Sequence, residues 1–334
     1  MISIVMPVYN EERYIDDCIK SLLKQDYPIE DMEWIFVDGC SKDRTKEIIE
    51  SYQREYPSLI KIFDNPKRIV PCAMNIGIKN SKGKYIIRLD AHAEYEDDYF
   101  SKCVHYLDTV EADNVGGSIE TKAKTKMGAN IACMLSSRFG VGNSQFRTNG
   151  KSGYVDTVPF GAFRREVFSK FGGYDERLVR NQDNEMNYRI RKNGGKIFLA
   201  SDINLAYYCR DSIKGIAAMA RKNGQWNIIT MKLCPGSMGL RHFVPLLFVL
   251  SILFLTGFGF LWWPIWIVLA GELTLYLLMD SVYSAKGSKS FASFWLLLIL
   301  FPIFHISYGI GSIIGLLSLF SKKYRKNGYV PENI

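Results

Sequence analysis

The sequence predicts an α/β protein: a mostly parallel sheet flanked by helices, followed by C-terminal transmembrane helices. Two observations carry this expectation. Over the first third of the chain, short apolar runs alternate with amphipathic ones, the rhythm of repeated βα units. Further on the composition changes: residues 243–271 and 290–320 contain no Lys, Arg, Asp or Glu. Each stretch exceeds the roughly 20 apolar residues needed to cross a bilayer.

In chain order, strands are expected at Ile2–Val8, 33–38, 60–63, 84–90 and 114–119, with helices at 11–25, 43–52, 71–79 and 97–109. Residues 124–150 read as a helix and a loop rich in Gly, Asn, Ser and Arg, long enough to act as a mobile lid. Another helix should begin near Gln182, and 198–208 is strand material. Residues 211–223 form a basic helix with Ile213, Ile216, Ala217 and Ala220 on one face. It is expected on the membrane surface, an ordinary domain helix being the alternative.

Trp262-Trp263-Pro264 separates a first apolar span from a second at 265–279, which carries Glu272, a costly residue in lipid unless it meets a polar partner. The last stretch, 290–320, is longer than one crossing needs and contains Pro302, Gly309, Gly311 and Gly315, so it is either one span or a broken, re-entrant one. The expected division is a soluble domain at 1–235 and a membrane domain at 236–334 with three or four hydrophobic segments and a basic tail.

Of the 334 residues 48% are hydrophobic, and the net charge is +8. No basic stripe with interleaved aromatics appears, which argues against nucleic acid. Lys286, Lys289 and the run Lys322-Lys323-Tyr324-Arg325-Lys326 adjoin apolar segments, where positive charge marks the cytoplasmic side. The N-terminus has neither a basic n-region nor a long apolar core, so it reads as a strand rather than a signal peptide. The seven cysteines form no Cys-x-x-Cys pair, which fits reduced thiols. Together these features predict a multi-pass cell-membrane protein with its soluble domain in the cytoplasm.

In parallel α/β sheets ligands bind beyond the carboxyl ends of the strands. Asn10, Asp38 and Asp90 all fall there. Asp90-Ala91-His92 places a carboxylate and an imidazole two residues apart at a strand exit, where both can turn toward one divalent cation.

The strings Ile4-Val5-Met6-Pro7-Val8-Tyr9-Asn10-Glu11-Glu12, Val37-Asp38-Gly39-Cys40-Ser41-Lys42-Asp43, Pro71-Cys72-Ala73-Met74-Asn75-Ile76-Gly77 and Gly83-Lys84-Tyr85-Ile86, running into Asp90-Ala91-His92, resemble the family 2 glycosyltransferases. The resemblance covers about residues 1–235. With the apolar C-terminus, it is closest to membrane-bound glucosyltransferases of the succinoglycan type. It implies the GT-A fold and inverting hexose transfer, with glucose from UDP-glucose moved to a lipid-linked saccharide at a membrane in surface polysaccharide synthesis.

By the same resemblance Pro7, Tyr9, Glu11 and Asp38 wall the nucleotide pocket, Asp38 accepting from a base N–H; helix chemistry alone offers Asp38 as a cap for the helix at 43–52 and Glu11 as a first-turn carboxylate. By position rather than by resemblance, Lys67-Arg68 precede the helix at Pro71 and could approach the diphosphate, surface solvation being the alternative. Asp90 holds Mn²⁺ or Mg²⁺; the family's second Asp is replaced by His92, which either ligates the metal or touches phosphate. Asn181-Gln182-Asp183-Asn184-Glu185 resembles the family's Glu-Asp-x-Glu segment, which makes Asp183 the base and Glu185 an acceptor contact. Bare helix chemistry offers another use for these acids, since Glu185 can pair with Arg189 one turn on. Only Gln225-Trp226 remains of the processive Gln-x-x-Arg-Trp signature, which suggests addition of one sugar per encounter, with Trp226 stacking on an acceptor sugar or anchoring at the membrane interface. The rival readings are transfer to a polyprenyl phosphate itself and a non-catalytic membrane scaffold.

Overall fold

A computed structural model describes residues 1–148 and 150–320. The basic run at 322–326 lies outside the described residues. The elements in chain order begin β1 (Ile2–Val8), α1 (Ile15–Leu22), β2 (Met32–Asp38), α2 (Thr45–Glu55), β3 (Ile60–Asp64), α3 (Val70–Asn80), β4 (Tyr85–Arg88), β5 (Ala93–Tyr95), α4 (Tyr99–Thr109) and β6 (Asn114–Lys122). They continue with α5 (Lys126–Leu135), α6 (Arg138–Val141), β7 (Gly153–Tyr154), β8 (Ala162–Arg164), α7 (Glu166–Phe171), α8 (Gln182–Lys192) and β9 (Ile197–Tyr208). Four helices follow: α9 (Ile213–Leu233), α10 (Val244–Gly259), α11 (Ile265–Gly287) and α12 (Phe291–Ser318).

The chain divides into two compact units, one of residues 1–120 and 150–207 and the other of residues 121–148 and 208–320. In the first unit the sheet order is β3-β2-β1-β4-β8-β6-β9-β5, with β7 beside β9. The first four strands are parallel, as the βα rhythm predicts. Past β4 the sheet is mixed: β8 runs antiparallel to both β4 and β6, and β5 and β7 run antiparallel to β9. These short strands carry too few alternations to be read from periodicity.

β1 and β2 are buried almost throughout, the signature of a sheet covered on both faces. Gly77 lets α3 lie close on β1, since a Cβ there would meet a Val5 methyl at 2.3 Å. At the opposite end of the strands, Glu33 is buried and accepts from Ser3 (2.6 Å), Lys61 (2.5 Å) and the Lys82 backbone N–H. This closes the amino edge of the sheet. β1 pairs with β2 on one side and β4 on the other, so the chain's winding reverses at β1. A crevice at such a switch point is where open α/β sheets bind ligands.

In the second unit, Ile131, Met134 and Leu135 of α5, Ile216 and Ala220 of α9, and Leu297, Leu300, Phe301 and Phe304 of α12 share one core. The expected lid at 124–150 is therefore, through α5, part of this core, and Phe139 of α6 is ringed by Tyr276, Tyr283, Phe301 and His305. The expected surface helix runs on to Leu233 and lies against α12. Gly224, Gly311 and Gly315 form the seam, which small residues allow in membrane helix pairs.

Among the described residues three helical stretches are long and apolar enough to cross a membrane: Leu240–Gly259, Ile265–Gly287 and Phe291–Ser318. Large apolar side chains such as Leu253, Phe254, Ile267 and Leu275 face outward from them. The second stretch outruns the expected 265–279, and the third is one unbroken helix through Pro302. Glu272 is met by the Ser251 hydroxyl at 2.5 Å, the polar partner that its place in an apolar span requires.

Candidate active site

The loops leaving β1 and β2 are knitted together. The Asn10 backbone N–H donates to the Ser41 hydroxyl oxygen (3.0 Å), and the Asn10 side-chain oxygen accepts the Lys42 N–H (2.8 Å). The Glu11 N–H donates to Thr45 (2.7 Å), and the Glu12 N–H to Asp43 (3.1 Å). Asp38 does not cap α2. Its carboxylate accepts the Ser41 hydroxyl at 2.5 Å and the Ser41 N–H at 3.0 Å, forming a turn beneath Tyr9, whose ring leaves little space at Gly39. Asp38 is 1% exposed and Tyr9 39%. Pro7 lies beside Val37 in the β1–β2 register, so Pro7, Tyr9 and Asp38 form one corner.

Arg68 follows β3 with its Nε buried and unbonded among the described residues, while its neighbour Lys67 pairs with Glu176 at 2.7 Å. The five non-glycine residues with left-handed φ among the described residues are Asn10, Cys40, Arg68, Phe160 and Asn181. Four of them sit on loops that carry candidate residues, and Phe160 lies 5.8 Å from the Arg88 guanidinium. Such backbone strain, of order 1–3 kcal/mol per residue, concentrates at functional sites.

Arg88, at the end of β4, was not singled out by sequence. Its side chain is buried, one Nη pairs with Asp183 at the start of α8, and the other lies 3.3 Å from Oδ1 of Asp90. The second oxygen of each carboxylate accepts no hydrogen bond among the described residues. Burial pushes the Asp183 carboxyl above the ordinary aspartate value, against the pull of Arg88, and the charge of Asp90 adds to the rise. The structure therefore brings Asp90 and Asp183 to one place from distant parts of the chain.

His92 lies between two partners. Its Nδ1 is 3.2 Å from Glu11 and its Nε2 is 2.9 Å from the Tyr207 hydroxyl. Burial would lower its pKa, but Tyr207, Glu11 and Asp90 outweigh that and hold it well above the ordinary histidine value. With both nitrogens engaged, His92 offers no free lone pair to a metal in this arrangement, and Glu11 faces His92. Among the described residues no three His, Cys, Asp or Glu side chains cluster as a ready-made metal cage. Asp90 with its open oxygen fits the other mode, in which one carboxylate and the substrate's phosphates share the ion.

Glu185 is 6% exposed and both its oxygens are held at 2.8 Å by Arg189, which also donates to the Phe171 and Gly173 carbonyls. This is the pairing that helix spacing offered; the carboxylate expected to meet an acceptor is engaged inside the fold. Trp226 belongs to the second unit and is 8% exposed, so it presents little ring surface for stacking on a sugar.

A mixed sheet whose first four strands are parallel, with strand-end carboxylates and a helix-start aspartate gathered near its switch point, has the form of an open α/β ligand-binding site. Residues 3–172 match the sequence pattern of Glycosyl transferase family 2, and the chain belongs to that family. It is 30% identical over 92% of its length to a dolichyl N-acetyl-alpha-D-glucosaminyl phosphate 3-beta-D-2,3-diacetamido-2,3-dideoxy-beta-D-glucuronosyltransferase of Methanococcus voltae, covering 95% of that protein. It is 32% identical to the succinoglycan biosynthesis protein ExoA of Rhizobium meliloti over 62% of this chain and 63% of that one. Among solved structures, a mannosyltransferase from Pyrobaculum calidifontis in complex with GDP-Man and Mn²⁺ aligns with a TM-score of 0.57 at 17% identity, covering 96% of this chain and 87% of that one. The S. aureus TarS 1–349 complex with UDP aligns with a TM-score of 0.51 at 17% identity, covering 96% and 93%. The protein is a glycosyltransferase of the GT-A fold with C-terminal apolar helices.

Proposed function

We propose that this enzyme transfers a hexose with inversion, glucose from UDP-glucose, to a lipid-linked saccharide at a membrane in surface polysaccharide assembly. The observation that carries the reading is the meeting of Asp90 and Asp183 on Arg88 at the switch-point edge of the sheet. The relatives support the acceptor class: one is named for transfer to a dolichyl-phosphate-linked sugar and another for succinoglycan biosynthesis. The first of these names describes a sugar–sugar bond, which favours a saccharide acceptor over a bare polyprenyl phosphate.

In this reading Pro7, Tyr9 and Asp38 hold the base, Arg68 meets the diphosphate, and Asp90 carries a divalent ion. Mn²⁺ or Mg²⁺ there would neutralise charge on the departing diphosphate. Asp183 takes the acceptor's hydroxyl proton on its open oxygen. The acceptor oxygen bonds to the anomeric carbon from the face opposite the phosphate, and the C–O bond to phosphate breaks with its electron pair leaving on the nucleotide. Glu11 and Tyr207 hold His92 at the edge of the diphosphate site.

Lys286 in the last turn of α11 and Lys289 in the connection to α12 place positive charge beside these spans, which supports a cytoplasmic placement of that connection.

The test is a thermal-shift panel of UDP-, GDP- and dTDP-hexoses with and without Mn²⁺, followed by product analysis with lipid-linked saccharides. Metal-dependent stabilisation by UDP-glucose and a new glycosidic bond are expected. A panel that shows no stabilisation, hydrolysis or transfer overturns the reading, and a product with a single phosphate between lipid and sugar redirects it to the polyprenyl-phosphate reaction.

A further inference from the structure

Arg88 has an arrangement that charge neutralisation alone does not require. A guanidinium paired to one carboxylate prefers to present two parallel N–H groups to it. Here the fork is split: one Nη serves Asp183 and the other Asp90. Among the described residues the Nε is buried without a partner, so the head gives up one hydrogen bond to keep this orientation. Its other constraints come from three directions. The Arg88 backbone N–H is fixed to the Gly161 carbonyl at 3.0 Å, the Phe160 ring lies 5.8 Å from the guanidinium carbon, and the Tyr174 hydroxyl adjoins it. Phe160 holds a left-handed φ of 44° to be there.

Resting on the assignment of Asp183 as base, we propose that Arg88 is a positioning residue that fixes the base relative to the donor's phosphate end. Asp90 marks the phosphate of the departing nucleotide, and Asp183 marks the attacking hydroxyl. In-line displacement requires these two points to lie on opposite sides of the anomeric carbon at a set spacing. A planar fork on a buried stem sets that spacing, whereas a Lys ammonium is a point charge and cannot grip both carboxylates in fixed geometry. Arg88 touches neither donor nor acceptor in this account. It acts through Asp183, and misplacement by an ångström is enough to slow a positioned reaction about a hundredfold.

The experiment uses the full chain in nanodiscs and compares Arg88→Lys, Arg88→Met, Asp183→Asn and the Arg88→Met/Asp183→Asn double variant. The readouts are UDP–Mn²⁺ binding by calorimetry, nucleotide-free melting, and nucleotide release from UDP-glucose and GDP-mannose. Arg88→Lys should bind UDP–Mn²⁺ within about twofold of the parent while turnover falls about a hundredfold or more. In the Asp183→Asn background, Arg88→Met should slow turnover by no more than about twofold further, because the group it positions is gone.

Full turnover in Arg88→Lys, additive losses in the double variant, or loss of UDP binding in step with turnover would each overturn the proposal. So would collapse of both Arg88 variants in the nucleotide-free melt, which would make Arg88 a folding residue. The base assignment fails separately, if Asp183→Asn alone turns over like the parent.

Discussion

Replacing Gly311 with Ala should loosen the seam between α9 and α12, and the size of the effect follows from the contacts. A Cβ at Gly311 would stand 2.0 Å from the Arg221 carbonyl oxygen and 2.7 Å from its carbon. Both are backbone atoms, so no side chain can swing away. Ordinary contact begins at 3.4 Å, so the helices must part by about 1.4 Å at this point. Gly224 and Gly315 lie on the same seam, at 2.0 Å from the Tyr308 oxygen and 2.7 Å from the Gln225 oxygen, so parting is felt along its length. It would also stretch the Asn227–Tyr308 and Gln225–Ser318 bonds.

Overpacking of this kind costs about 1–3 kcal/mol, each interhelical bond adds about 0.6, and alanine's better helix propensity returns about 1. The net loss is about 1–3 kcal/mol, a melting shift of several degrees. Gly257→Ala and Gly271→Ala are the internal controls, because a Cβ at either meets nothing within 4 Å. Thermal unfolding of detergent-solubilised protein should show Gly311→Ala melting lower and both controls unchanged or higher. Equal melting of all three would refute the seam.

Asp183→Asn should keep UDP–Mn²⁺ binding and lower turnover by about 10²–10⁴-fold, the usual worth of a general base. Because burial raises the Asp183 pKa and the base works only when ionised, parent turnover should fall as pH drops through a value above 3.8, and that limb should vanish in the variant. Asp90→Asn should abolish Mn²⁺-dependent stabilisation by UDP in a thermal-shift assay while leaving the nucleotide-free melt nearly unchanged. His92→Asp would set a carboxylate against Glu11, so it should lower the melting temperature without tightening Mn²⁺ binding by calorimetry. Arg189→Met should destabilise the fold by about 3–5 kcal/mol in denaturant titration, because it leaves the buried Glu185 unpaired.

Strands β1, β2 and β4 and the residues at their ends were legible because each is a buried, mostly apolar run closed by a polar residue and a turn. Asp38, Asp90 and Asp183 could be read as candidates because motif and position agreed. Arg88 gave no such signal. It sits inside the apolar run Tyr85–Leu89, where an arginine reads as a surface residue of an edge strand, and its meaning depends on Asp183 arriving from another part of the chain. Glu185 shows the reverse: the motif offered a site residue, and the i+4 arginine took it. Residues 124–150 read as a helix and a mobile loop because the helix pattern and the Gly, Asn, Ser and Arg content are local, while the apolar face of α5 finds its partner only in α12, more than 150 residues later.

The substitution of His92 for the family's second aspartate can be understood from what surrounds it. An aspartate at this position would add a second carboxylate beside Asp90 and a third beside Glu11, a concentration of charge tolerable only with a metal always present. Histidine changes the arrangement. It bridges Glu11, on the loop after β1, to Tyr207, at the end of β9, and thereby ties the nucleotide side of the crevice to the far side of the sheet. Tyr207 in turn stacks on Phe160 at 6.0 Å, and Phe160 lies beside the guanidinium of Arg88. The imidazole and the arginine are thus two links of one packed chain, Glu11–His92–Tyr207–Phe160–Arg88–Asp183, which runs from the proposed nucleotide pocket to the proposed base. On the proposed reading a single carboxylate, Asp90, would hold the ion, and metal binding would then depend on the donor's own phosphates. The ion would then bind with its substrate rather than before it, and the surrounding side chains would be organised without it.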